Sequence, residues 1–350
     1  MAERVDTRRY RSPLPPPEVL EAKGIIVDVE RIKLVVGMAL KAREDQAYLF
    51  RDGVSAPEEK FIAWVKQEGE SRGDPRFALN AVFFLVPAIF ADGTIRQFRR
   101  INRNSEEGNL WLFDPREIVL KTQTEVAEAA EQFIGAGGYN RRAFVKWYHN
   151  ASVLVGRYGG DIANFFAVYG NSAPAILNEL EGPIKKGKDW MGFHRFGPKL
   201  GRLFLQWVDQ YELYPLEEMD QVGVPVDFQV ARLLLQTEAV KSKGAPTYAF
   251  LVEKVLNYIL PEVFLRMKVN PRVVSETFWN IGNRCCNNYD HAECPISKMC
   301  TMMISRHPFD EGGRFVLRDI GRYHDKKTAR MRIRLRKEGL DQPDLPLEFS

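Results

Sequence analysis

Phe193-His194-Arg195-Phe196-Gly197-Pro198-Lys199-Leu200-Gly201-Arg202 is the stretch on which the reading of this chain turns. A sharp turn between two helices places a residue at positive φ, and Gly197 is the expected one. Pro198 suits the first helical position, because its φ is already helical and it has no N–H to leave unpaired. Lys199 then falls in the first turn of the helix. There the positive end of the helix dipole disfavours an ammonium. A free amine is a nucleophile, and N–H groups at a helix start bind phosphate. One turn can anchor a nucleic-acid backbone and present an amine beside it. Taken alone, Gly-Pro-Lys reads as well as a surface helix with a solvated lysine.

A second stretch changes that balance. Val224-Pro225-Val226-Asp227 precedes an apolar run, Val230 with Leu233, Leu234 and Leu235, so Asp227 is expected to open a helix. An aspartate there caps N–H groups and is held rigidly. Lys199 and Asp227 can serve as amine nucleophile and charge partner.

Composition bounds the rest. The 350 residues suffice for one large or two modest domains. An apolar content of 45% and a charged content of 27% are those of an ordinary globular chain. Ala81 to Phe90 is apolar throughout but too short to cross a bilayer, and predicts a buried helix. The Pro-rich stretch from Arg11 to Pro17 carries no signal-peptide core, so a cytoplasmic protein is expected. Arg314 to Lys337 holds ten Lys and Arg against two Asp, a local +8 in a chain of net +4. A polyanion partner suits that segment.

The pattern along the chain predicts a mainly α protein. Helices are expected over 76–90, 122–134, 139–158, 173–180, 200–210, 226–240 and 248–267, with one or two more between Val27 and Leu49. Ile95 to Ile101 and Leu110 to Phe113 read as a small β-hairpin insertion. Met331, Ile333 and Leu335 alternate with Arg330, Arg332, Arg334 and Arg336, the period of a strand with one basic face.

Cys285, Cys286, Cys294 and Cys300 are all the cysteines of the chain, and they fall within sixteen positions. In a cytosolic protein such a cluster favours a metal or an iron–sulfur cluster over disulfides. Four thiolates suit a [4Fe–4S] cube. Three thiolates with His291 as substitute ligand suit zinc.

Phe193 to Gly201 resembles the helix-hairpin-helix of the endonuclease-III-like DNA glycosylase superfamily, whose pattern is roughly Leu-Pro-Gly-Val-Gly-x-Lys-x-Ala. Val224 to Arg232 resembles its Val-Asp-Thr-His-Val-x-Arg run. Gly137-Gly138-Tyr139-Asn140-Arg141-Arg142-Ala143, Tyr158-Gly159-Gly160-Asp161-Ile162 and Trp279-Asn280-Ile281-Gly282 resemble further motifs, in the same order. The match runs from about Thr122 to Cys300. Arg195 stands where the family has its first hairpin glycine, His194 where it has proline, and Gln229 where it has histidine.

The resemblance implies two helical subdomains with the hairpin at the cleft and a C-terminal metal-cluster loop. It divides the chain into an arm (1–24), N-terminal helices with the hairpin insertion (25–118), the helix-hairpin-helix domain (119–226), a C-terminal helical domain with the cysteine loop (227–305) and a basic tail (306–350). Lys199 would attack the sugar C1′ and form a Schiff base, giving a DNA N-glycosylase with abasic-site lyase activity. Asp227 would stabilise positive charge on the sugar. Phe196, Gly197, Gly201, Arg195 and Arg202 would meet the DNA. The implied partner is double-stranded DNA with one nucleotide flipped out, bound by a monomer without membrane association. A non-catalytic nucleic-acid-binding module, or a glycosylase acting on RNA or a free nucleoside, fits the same motifs.

Overall fold

The computed structural model describes residues 17–22, 24–51, 56–88, 94–104, 109–134, 141–182, 185–186, 189–190, 192–226, 228–242, 251–286 and 292–300. The basic tail, Asp227 and His291 lie outside them. The protein is mainly helical, as the apolar spacing predicts, and the described residues also hold two small antiparallel sheets of two strands each, one of them β2 (Lys185–Lys186) with β3 (Asp189–Trp190).

Two apolar cores organise the helices. The first gathers α3 (Glu59–Arg72), α4 (Phe77–Leu85), α5 (Thr94–Asn104), α6 (Pro115–Val119), α7 (Gln123–Ile134), α8 (Arg141–Tyr158), α9 (Ile162–Val168), α10 (Ala173–Leu180) and α11 (Pro198–Gln210). At its centre every residue of α4 is buried. That saturation is why Ala81 to Leu85 can be apolar without pause: α4 has no solvent face to leave polar. Phe83 meets Phe193 and Phe196 with ring centroids 5.0 Å away in each case, edge-on to the first and stacked on the second.

The second core joins the two ends of the chain. α2 (Val29–Glu44) buries Ile32, Val35, Val36, Ala39 and Ala42, an i, i+3, i+4, i+7 stripe. It packs on α13 (Asn257–Met267) and α14 (Pro271–Asn280). β1 (Ile25–Val27) pairs antiparallel with β4 (Val240–Ser242), Ile25 opposite Ser242. Arg43 Nη2 meets Glu276 Oε2 at 2.9 Å, and its Nη1 donates to Thr277 Oγ1 at 3.2 Å. The cores therefore divide the chain differently from the expected ranges. Residues 25–50 belong with 224–296, and the expected boundary at 118 falls inside the first core.

Two expectations about local structure are corrected. Thr94–Asn104 is helix α5 and Asn109–Phe113 a 3-10 turn, not a β-hairpin. Phe98 and Ile101 are spaced three apart and both buried, which only a helix achieves here. Within the expected arm, Pro17–Ala22 forms α1.

The chain crosses between cores at Val222 and Gly223. α11 grips this crossover with two buried polar side chains. Arg202 Nε donates to the Val222 carbonyl at 3.0 Å, and Gln206 Nε2 donates to the Gly223 carbonyl at 3.0 Å. Gly223 has φ +74°, and a Cβ there would lie 2.6 Å from Pro261 Cγ. Both the dihedral and the close approach require glycine.

Candidate active site

The hairpin turn is built around Asn150 of α8. Its Oδ1 accepts from the His194 N–H at 2.8 Å and its Nδ2 donates to the His194 carbonyl at 3.3 Å. One buried amide thus satisfies both backbone groups of a residue that belongs to no helix or strand. Beside it, the His149 and His194 rings meet edge-on, centroids 4.2 Å apart. Burial, then the nearby His149 and Lys146, lowers His194 to about 4, so its imidazole is neutral at physiological pH.

The left-handed residue of this turn is Arg195, at φ +70°. Gly197, expected in that role, is the N-cap of α11 at φ −77° and ψ −178°, which any residue adopts. The left-handed position of the turn thus falls two residues before Gly197, on an arginine. Pro198 is the first residue of α11, as expected, and Lys199 follows in its first turn.

Lys199 lines a cleft between the two cores, of about 890 Å³ counting the space open to solvent. Leu200, Trp207 and the neighbouring turns of α11 form one wall; Glu276 and Trp279 of α14 form the other. Pro225 and Val230, which bracket Asp227 in sequence, line the same cleft. Apolar walls with a few convergent polar groups are the usual make-up of a small-ligand site.

Glu58, at the start of α3, is the cleft residue that sequence reasoning missed. It is only 8% exposed. Burial, with Glu276 and Glu59 nearby, raises its carboxyl to about 7. The Tyr211 hydroxyl donates toward its Oε1 at 3.5 Å. Ala56-Pro57-Glu58-Glu59 reads in sequence as an ordinary helix start, and the burial comes from α11 and α14, far away in the chain.

Most of the residues expected to meet DNA are placed otherwise. Arg202 is buried, its Nη1 2.8 Å from Glu181 Oε1, so its guanidinium braces the fold and is not offered to a phosphate. Phe196 and Phe193 are core aromatics stacked and edged on Phe83. Gly201 is buried where α10 crosses α11: a Cβ would lie 2.9 Å from Leu177 Cδ1. Gly197 is exposed and Arg195 half-buried, and these two remain at the surface of the turn.

The cysteines sit at the end of the second core. A π-helical turn, Ile281–Cys286, follows α14. Fully buried Arg232 of α12 (Phe228–Gln236) ties it down by donating to the Gly282 carbonyl at 2.6 Å. Burial pushes the Cys286 thiol up to about 12, against the opposing pull of the Arg232 guanidinium. Cys285 turns instead toward the Glu293 carbonyl, at 3.4 Å from Sγ. Among the described residues no three His, Cys, Asp or Glu side chains come together closely enough to hold a metal ion.

No helix among the described residues is long and apolar enough to cross a membrane. Comparison with protein-family models and with characterised proteins gave no match to this chain.

Proposed function

We propose that the chain is a lysine-dependent base-excision enzyme, an N-glycosylase and abasic-site lyase acting on a nucleotide flipped out of double-stranded DNA. The observation that carries this reading is the position of Lys199. It stands in the first turn of α11, beside a hairpin turn with its strained residue at Arg195, and lines the cleft that Pro225 and Val230 also line. The amine of Lys199 attacks C1′ of the flipped sugar. The base departs with the bonding electron pair of its glycosidic bond, and the adduct opens to a Schiff base. Asp227, bracketed in sequence by cleft residues, stabilises the positive charge that develops on the sugar.

Trp207 and Trp279 give the cleft flat apolar faces of the kind on which an extruded base stacks. The backbone N–H groups at the start of α11 are suited to a flanking phosphate. The cysteine loop enters the proposal only as a structural element, and the visible absorbance and metal content of purified protein decide whether it carries iron–sulfur, zinc or no metal.

Borohydride trapping on a duplex with a single abasic site tests the proposal. The wild-type protein should form a covalent adduct and Lys199→Ala should not. An adduct that persists in Lys199→Ala removes the lysine from its role. No adduct with the wild type leaves binding without catalysis.

A further inference from the structure

We infer that Glu58 is a second catalytic residue of this cleft, the acid that protonates the group leaving C1′ as Lys199 bonds to it. The inference rests on the proposed lysine chemistry and adds to it a residue on which the motifs are silent. Its geometric basis is the cleft itself. Glu58 comes from the start of α3 in the first core, Lys199 from α11, and both line the one cavity that separates the cores there. Glu58 is more than nine-tenths buried, and none of the described ion pairs involves its carboxylate.

The surroundings keep a proton on it. Glu59 flanks it on its own helix, and Glu276 lies near it from α14, paired with Arg43 of α2 at 2.9 Å. The Tyr211 hydroxyl, donating to it from the end of α11, works the other way and is outweighed. Lys199 and Arg272 are the cations lining the same cleft. Burial is the largest influence and the acidic neighbours add to it, so the acid form persists to about pH 7. A carboxyl poised there can give up its proton and take one back.

On an abasic site the reacting group is the open-chain C1′ aldehyde. The Lys199 amine adds to the C1′ aldehyde, and one amine proton passes to the carbonyl oxygen, giving a carbinolamine. Glu58 gives its proton to that hydroxyl. The C–O bond breaks, water leaves, and the nitrogen lone pair forms the C=N bond of a protonated Schiff base. The Glu58 carboxylate then recovers a proton from that nitrogen. With a base still attached, Glu58 protonates the departing base nitrogen in the same way.

The experiment follows the rate of borohydride-trapped adduct on an abasic-site duplex from pH 5 to 9, for the wild type, Glu58→Gln and Glu58→Asp. The wild-type rate should fall as pH rises through about 7, where Glu58 loses its proton. Glu58→Gln should be slower by about 10²-fold and lack that limb, since general acid catalysis contributes at least that much. Glu58→Asp should restore the limb with part of the rate. A Glu58→Gln protein with the wild-type rate and profile overturns the inference while leaving the lysine in place. So does a wild-type profile with no falling limb, a result that needs no variant to fold. If the wild type forms no adduct at any pH, the lysine chemistry itself is what fails.

Discussion

Arg195 is the residue that holds the left-handed position of the turn before α11. A left-handed backbone costs a non-glycine residue about 1–2 kcal/mol, yet Arg195 holds φ +70°. It is held there because its neighbours leave the turn little choice. Phe193 and Phe196 are locked into the aromatic core on either side, and Asn150 fixes the backbone of His194. Arg195→Gly should therefore be close to neutral, since relief of the strain offsets the entropy that glycine loses on folding. Arg195→Val, with a β-branched side chain in the left-handed region, should cost about 1–3 kcal/mol. Urea denaturation midpoints of the two variants check this pair. Equal destabilisation of both would mean that the arginine side chain, and not the backbone, holds the turn. Sequence alone assigned the strained position to Gly197 because glycine is the residue that tolerates it; what decides it is packing from α4 and α8, which no local pattern shows.

At the scale of elements, the hairpin is a device in which α8 positions the start of α11. Asn150→Ala would leave a buried N–H and a buried carbonyl of His194 without their partner. Each orphaned group costs about 1–3 kcal/mol, so a loss of about 2–6 kcal/mol is expected. The same variant should loosen the turn before Lys199, seen as faster amide exchange at His194 than at the centre of α8. Unchanged exchange there would show that the aromatic packing alone sets the turn. The helices themselves were largely legible. Gln123–Ile134, Arg141–Tyr158, Ala173–Leu180 and Pro198–Gln210 lie within a few residues of their expected spans, because caps, Gly pairs and apolar stripes are local signals. The helix expected over 226–240 stops at Gln236, and the chain turns into β4 to pair with β1, some 200 residues earlier. That pairing leaves no trace in the neighbourhood of either strand. The cleft was half legible. Lys199 is marked by Gly-Pro-Lys, whereas Glu58 becomes special only when α11 and α14 close over it.

For the whole molecule, two buried titrating groups pull stability in opposite directions. Glu58 is raised from 4.5 to about 7 in the folded protein. The folded state then binds the extra proton, so stability is fully present below pH 4.5 and is lost as pH rises toward 7. His194 is lowered from 6.5 to about 4. Its neutral ring is favoured in the fold, so that contribution is present above pH 6.5 and is lost as pH falls toward 4. Each group changes stability by about 1.4 kcal/mol per pH unit inside its window. The windows overlap from 4.5 to 6.5, and there the two slopes oppose each other. The unfolding free energy of the wild type should accordingly change less steeply across that range than that of either single variant, with His149, also lowered by burial, adding to the histidine side. Glu58→Gln should uncover the histidine slope, losing about 3 kcal/mol between pH 6.5 and 4. His194→Gln should uncover the opposite slope, losing a similar amount as pH rises from 4.5 to 7. Urea unfolding at half-unit pH steps measures all three curves. A wild type whose stability falls toward acid as steeply as that of Glu58→Gln would show that Glu58 contributes no opposing slope, and that the histidine pair His149 and His194 governs the acid side alone.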